Sequence, residues 1–298
     1  MRIFPCGLCH GEEFTEIHSR IDRHRERIHV VVCNGCGLSQ LNPRRDEAEE
    51  REFYLSGRYR SPRVHQKRRT SKRWIERKNR IAAGLLDAIS LHHALEGARL
   101  LDVGCGHGYL IRQARERGAE VRGVEPDPEA AERLRGEGFD VAHATFLEFA
   151  RAAPGPFDIV TLSHVVEHVN EPIPFVRAAA ALLAPEGVLG AEVPNVINQI
   201  ETGRYPESAH SAHLYYHSER SLSALFEVSG LRVQAVSFGL GRKMVRAVGR
   251  PGPPRDLGEL PLDDPMAIEA AIVRLRRRRV ARTLRAAERL VKRALGRT

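Results

Sequence analysis

Three groups of residues in this chain of 298 residues have types and spacings that suit chemistry. The first is Leu100-Leu101-Asp102-Val103-Gly104-Cys105-Gly106-His107-Gly108-Tyr109-Leu110, an apolar run that enters three alternating glycines and then a helical stretch. Glycine at such a turn lets the backbone approach a ligand where a side chain would collide, and the helix start adds unpaired amide donors. Glu125 closes the run VRGVEPD, and its carboxylate has the capacity to accept hydrogen bonds from both hydroxyls of a ribose. Taken alone, such a loop also suits a dinucleotide. The second group is Cys6-x2-Cys9 with Cys33-x2-Cys36, two matched knuckles whose four thiolates satisfy tetrahedral zinc. A thiol-redox pair is the alternative, but it does not require two matched knuckles. The third is SHVVEHV, in which His164 and His168 would share a helix face with Glu167 beside them. That cluster could bind a divalent ion or orient an acceptor oxygen. Farther on, His210, His213 and His217 lie in a polar segment and offer acid-base groups near neutral pH.

The elements that must position these groups follow from apolar periodicity. Strands are predicted at Arg99–Val103, Glu120–Val124, Asp140–His143, Phe157–Leu162, Gly187–Val193, Leu231–Phe238 and Lys243–Val248. Helices are predicted between the early strands, at Tyr109–Arg117, Pro128–Glu137 and Pro174–Leu183. Alternation of this kind implies parallel strands with right-handed crossovers, which gather the loops after the strands at one sheet edge, where ligands bind. The expected fold is therefore α/β: a doubly wound, mostly parallel seven-stranded sheet, preceded by a small zinc module and followed by a basic helix. The expected boundaries are residues 1–42 for a zinc-ribbon-like module, 43–96 for a helical connector, 97–250 for the α/β domain and 251–298 for a linker and basic amphipathic helix. In the module, alternating Ile28, Val30 and Val32 suit one strand of a hairpin, and coordination would stabilise a core that is marginal at this size. In the connector, Trp74, Ile75, Ile81, Leu85, Leu86 and Ile89 give a helix from Ser71 to about His92 one apolar face, and Tyr54 and Tyr59 could cover the site.

The central segment resembles the class I S-adenosylmethionine-dependent methyltransferases from about Leu100 to Val248. LLDVGCGHGYL is similar to that family's first motif, VRGVEPD to its second, and FDIVTLSHVVEHVNEP to its fourth strand with the following loop. The resemblance implies S-adenosyl-L-methionine as cofactor. Asp102 then positions the methionyl end or its water network, Gly104, Gly106 and Gly108 make room, Cys105 stands among them with the cofactor residues, and Glu125 holds the ribose. Where the family often has an acidic residue, this chain has Ala144-Thr145-Phe146, so backbone atoms, Thr145 and the Phe146 ring are expected at the adenine. The alternative role for Thr145 is a helix cap. Ser163 is placed with the cofactor residues at the end of the fourth strand. A closer resemblance is to the quinone O-methyltransferase branch, which has glutamate, glutamate and histidine where this chain has His164, Glu167 and His168. The nitrogen at His164 favours bracing histidines over a catalytic metal. His213, in HLYYHS, matches a position often histidine in the family. His168 and His213 are the candidate bases.

The order of zinc module and methyltransferase also resembles enzymes acting on nucleotide-linked deoxysugars, although here only a basic tail follows. The preferred acceptor is a hydroxyl on a small molecule, a glycan or a lipid-linked intermediate, as in natural-product or glycan biosynthesis. A nucleic-acid methyltransferase is the alternative, since the zinc module and the arginine-rich tail could grip phosphates; the formal charge of +9 does not by itself indicate this, because the basic residues crowd two stretches, Arg58 to Arg80 and Arg274 to Arg293. No NPPY-type base-handling motif follows the fourth strand. A scaffold that binds the cofactor without turnover is a third reading, and an NAD-dependent oxidoreductase a fourth. Cysteines stand where a secretion signal would be apolar, and no run reaches the roughly 18 apolar residues of a membrane span. The expected location is cytoplasmic. The basic tail reads first as a helix that packs on a partner or faces solvent, with peripheral membrane or polyanion contact as the alternative.

Overall fold

The computed structural model of the chain describes residues 1–55, 71–152 and 155–275, without the side chains of Tyr54 and Leu55. The Tyr54 side chain, Tyr59 and the basic tail beyond residue 275 therefore lie outside the described residues. At the N-terminus, β1 (Phe14–Ile21) and β2 (Arg27–Cys33) form the expected antiparallel hairpin. Its turn is fixed by Asp22, whose Oδ1 accepts from the amides of His24 at 2.8 Å and Glu26 at 3.0 Å. β3 (Ser39–Leu41) pairs with β2, and α1 (Glu47–Leu55) follows.

Helix α2 (Lys72–Ser90) begins where Ser71 caps the amide of Trp74. Its periodic apolar residues Ile81, Leu85, Leu86 and Ile89 are buried. A Cβ at Gly190 would stand 2.6 Å from Ile89 Cδ1, so a bare backbone there is what lets the helix lie so close.

The core sheet has seven strands: β4 (Arg99–Val103), β5 (Glu120–Glu125), β6 (Asp140–His143), β7 (Phe157–Ser163), β8 (Leu183–Pro194), β10 (Leu231–Gly239) and β11 (Met244–Pro251). Their order is β10-β11-β8-β7-β4-β5-β6, parallel from β8 to β6, with β11 antiparallel to both its neighbours. The connecting helices are α3 (Tyr109–Glu116), α4 (Pro128–Gly136), α5 (Phe146–Arg151), α6 (Pro172–Ala180), α7 (Val196–Glu201) and α8 (Glu219–Val228). The predicted elements occur, with ends displaced by a few residues; β8 already starts at Leu183. The chain passes outward from β4 to β6 and then returns to the other side of β4 at β7. This reversal opens a crevice at the carboxyl ends of β4 and β7, the switch point at which doubly wound sheets bind ligands.

Between β8 and β10 the chain leaves this sheet and completes the N-terminal one. β9 (Tyr215–Tyr216) pairs with β3, Tyr215 opposite Gln40 and Tyr216 opposite Ser39, giving the order β1-β2-β3-β9. Tyr205, Tyr216 and Val196 share a core with Ile28, Val30 and Leu41, and the helix over 265–275 adds Ile268 and Ile272. Distant segments thus supply apolar surface that some forty residues of cysteine module lack.

Candidate active site

Gly104, Gly106 and Gly108 have φ of 68°, 51° and 76°, a left-handed region costly for residues with a Cβ. The turn brings the Gly106 amide to Glu125 Oε2 at 2.7 Å, while the Asp127 amide donates to Oε1 at 2.9 Å. Each oxygen takes one amide hydrogen bond, so the carboxylate is held in one orientation, and a carboxylate oxygen can accept a second bond. Asp102 is buried and its Oδ1 accepts from the Thr161 hydroxyl at 2.7 Å. Burial, with the Glu125 charge adding to it, outweighs that hydrogen bond and pushes the Asp102 carboxyl up to about 7.

These groups line one cavity of about 1540 Å³. Asp102, Gly104, Cys105, Gly106 and Glu125 belong to it, as do Thr145, Phe146, Ser163 and His168. Single small-ligand pockets run to roughly 300–1,000 Å³, so this one has room for a cofactor and a second reactant. Gly108 is not part of the lining; its left-handed conformation caps α3, and a Cβ there would meet Leu134 at 2.4 Å. Cys105 packs under the loop, 2.8 Å from where a Cβ on Gly123 would stand, and burial pushes its thiol up and keeps it protonated. Thr145 caps α5 in a reciprocal capping box with Glu148, so its hydroxyl is engaged in the helix start.

His164 and His168 line the same cavity from the segment that follows β7. His164 does not share a helix face with His168, as the four-residue spacing predicts. It ends β7 in a left-handed conformation, φ 57°, and only Val166–His168 form a short 3-10 turn. Backbone strain of this kind at a non-glycine residue marks a site held by its surroundings. His164 Nδ1 still reaches Glu167 Oε1 at 3.1 Å, and His168 Nε2 lies 3.9 Å from the same oxygen. Burial lowers the pKa of His168, though Glu167 and a hydrogen bond to the Ala212 backbone oppose the shift. It is therefore neutral at neutral pH. Since one ring nitrogen donates to that carbonyl, the other carries a lone pair. His213 lies behind the cavity wall, its ring edge-on to His168 with centroids 4.7 Å apart, and packs on His210 at 4.1 Å. Donor atoms of Glu167, His168 and His213 lie within 4.8 Å of one another and could hold a metal ion, with His213 rather than His164 as the third member. His217 is buried and shifted down to about 4, away from the cavity lining.

The four cysteines form a second cluster, none of them in a disulfide. Cys6 Sγ lies 3.5 Å from Cys36 Sγ, and Cys9 Sγ 3.3 Å from Cys33 Sγ. Tetrahedral zinc with Zn–S near 2.3 Å needs sulfurs about 3.8 Å apart, so the set fits with small adjustment. Several residues at the cavity were not visible as motifs: Phe4, Pro5, Arg44 and Lys78 line it, as does Cys6 from the cluster itself. Trp74, expected on the packing face of α2, lines it as well.

The crevice at the switch point, the glycine turn beneath it and the buried carboxylate on the adjacent strand form one site, in the fold that the sequence motifs lead one to expect of a class I S-adenosylmethionine-dependent methyltransferase. The chain belongs to the methyltransferase-domain family, whose profile matches residues 67–236. It is 37% identical over 110 residues to the ubiquinone biosynthesis O-methyltransferase of Xanthomonas campestris pv. campestris, covering 35% of this chain and 46% of that protein. The corresponding protein of Aromatoleum aromaticum is 39% identical over 108 residues, 34% of this chain and 46% of the relative. The chain thus spans less than half the length of these curated relatives. Among solved structures, magnesium protoporphyrin IX methyltransferase from Synechocystis PCC 6803 superposes with a TM-score of 0.49 at 16% identity, covering 68% of this chain and 98% of that one. A methyltransferase from Archaeoglobus fulgidus gives 0.48 at 18% identity, over 58% and 93% of the two chains.

The position of Asp102 sets a pH dependence. In the role expected from the sequence, at the methionyl end, the carboxylate would pair with the ammonium only when ionised, and burial sets its pKa at about 7. Affinity for S-adenosylhomocysteine is therefore expected to be steady above pH 7 and to fall by up to about tenfold per unit below it. Asp102→Asn should flatten that profile. Calorimetric titration between pH 5.5 and 8.5 checks both, and an unchanged slope in the variant would count against the pairing.

Among the described residues no helix is long and apolar enough to cross a membrane.

Proposed function

We propose that the chain transfers the methyl group of S-adenosylmethionine to a hydroxyl oxygen of a small-molecule, glycan or lipid-linked acceptor, with His168 as the base, while the four cysteines hold a structural zinc ion. The observation that carries this reading is that His168, neutral and with one ring nitrogen committed to a backbone carbonyl, lines the same cavity as Asp102 and Glu125. The partial likeness to ubiquinone biosynthesis O-methyltransferases supports a hydroxyl acceptor.

Bound here, the cofactor supplies a sulfonium methyl already activated for transfer. The chain's own work is orientation and proton management. Glu125 fixes the ribose, Asp102 the amino-acid end, and the glycine turn admits both without steric conflict. At the other end His168 takes the hydroxyl proton as the oxygen attacks. Glu167, buried beside it, offsets the charge that forms on the imidazole. Labelling cell extract with isotopic methyl cofactor and resolving the products by mass spectrometry tests the proposal. A labelled methyl ether supports it; label on nitrogen, on carbon or on nucleic acid contradicts the hydroxyl assignment.

A further inference from the structure

The first cysteine knuckle and the methyl-transfer cavity share a wall. Phe4, Pro5, Cys6, Gly7 and His10 line the cavity that also holds His168 and Glu171. This strand of chain is tied down at both ends of its contact. The Phe4 amide donates to Asn42 Oδ1 at 3.0 Å, and Asn42 Nδ2 donates back to the Phe4 carbonyl at 2.9 Å. The Gly7 amide donates to Gln40 Oε1 at 3.2 Å, and a Cβ on Gly7 would collide with the Tyr215 hydroxyl at 2.4 Å.

Arg44 joins the knuckle to the loop that carries the base. Its guanidinium lies 4.8 Å from the centre of the Phe4 ring and 4.9 Å from that of Tyr215. Nη2 donates to the Tyr215 hydroxyl at 2.7 Å, and that hydroxyl donates to the Asn170 carbonyl at 2.7 Å, two residues beyond His168. The Phe4 ring is therefore held at a set position relative to the 3-10 turn of His168. Trp74 of α2 contributes a second aromatic surface to the same cavity.

We infer that the first cysteine knuckle is the acceptor-selecting wall of the cavity, with Phe4 a specificity-determining residue that packs on a flat, ring-sized apolar face of the acceptor. The inference rests on the hydroxyl-acceptor reading above. It gives the cysteine module a task in substrate choice and requires no separate partner for it. Cofactor contacts lie at Asp102 and Glu125 on other elements, so acceptor and cofactor binding separate under mutation.

Trp74 is the sole tryptophan of the sequence and serves as an internal probe. With the full chain saturated in S-adenosylhomocysteine, umbelliferone, a planar hydroxycoumarin, is titrated and Trp74 quenching followed. Phe4→Ala is expected to weaken umbelliferone binding by about tenfold, and Phe4→Tyr, which keeps the ring, to restore it to within about twofold. Metal content and affinity for S-adenosylhomocysteine should stay at the parent level in both. Equal umbelliferone affinity in parent and Phe4→Ala overturns the inference, as does a parent that does not bind umbelliferone. A loss of cofactor affinity in step with it assigns Phe4 a purely structural role and overturns it too. A parent that fails to bind S-adenosylhomocysteine at all overturns the methyltransferase reading beneath it.

Discussion

Replacing His168 with alanine is expected to lower kcat by roughly 10²–10⁴ while leaving affinity for S-adenosylhomocysteine within about twofold. The ring lines the cavity but lies on a different element from Asp102 and Glu125, so its loss should spare cofactor binding. His213 backs the ring edge-on without reaching the cavity, and His213→Ala should cost about tenfold through misplacement of His168. The pH profile adds a sign. Burial lowers the His168 pKa below the ordinary 6.5, so the neutral, proton-accepting form persists to lower pH than for a solvent histidine. With cofactor saturating, which removes the Asp102 titration from view, kcat should be flat from pH 8 to neutrality and decline only below about 6.5. Unchanged turnover in His168→Ala would remove it from the base role, and unchanged turnover in His213→Ala would contradict the backing role.

Loss of the zinc proposed at the four cysteines should have the second large effect. Structural zinc in small modules supplies binding free energy on the order of 10–16 kcal/mol, most of which is folding energy. The N-terminal sheet ends in β9, and from the same segment the Leu214 amide donates to the Glu167 carbonyl at 2.7 Å. Disorder in the knuckles thus reaches the turn of Glu167 and His168 through two residues. Cys33→Ser is expected to abolish stoichiometric metal and to reduce turnover about a hundredfold or more, with cofactor affinity falling by less than about tenfold. Metal analysis, turnover and hydrogen exchange over residues 196–217 read these outcomes together. Full activity without bound metal would contradict the coupling.

The parts of the site that were legible in the sequence are those whose chemistry is local. Three glycines after an apolar strand announce a turn with positive φ, and Glu125 is found by counting to the end of the next strand. The paired cysteines are legible for the same reason, since the ligand spacing lies within each knuckle. What escaped is built by contacts between distant segments. Tyr215–Tyr216 is two residues long, too short for any periodicity, and becomes a strand only because β3 offers an open edge. Phe4 has no motif, and its place at the cavity follows from Asn42, Arg44 and Tyr215 acting together. His164 shows the reverse failure. Its four-residue spacing from His168 reads as helical, but the backbone turns left-handed at the strand end and the regular period never starts there.

Glu125, held by the amides of Gly106 and Asp127, is expected to grip the ribose of a sulfonium nucleoside lying over the glycine turn. Calorimetry of S-adenosylhomocysteine against the full chain and its Glu125→Ala variant tests this directly. Loss of two charge-assisted hydrogen bonds should weaken binding by about a hundredfold with the fold intact. Equal affinity in the two proteins, or no binding by the parent, would contradict it.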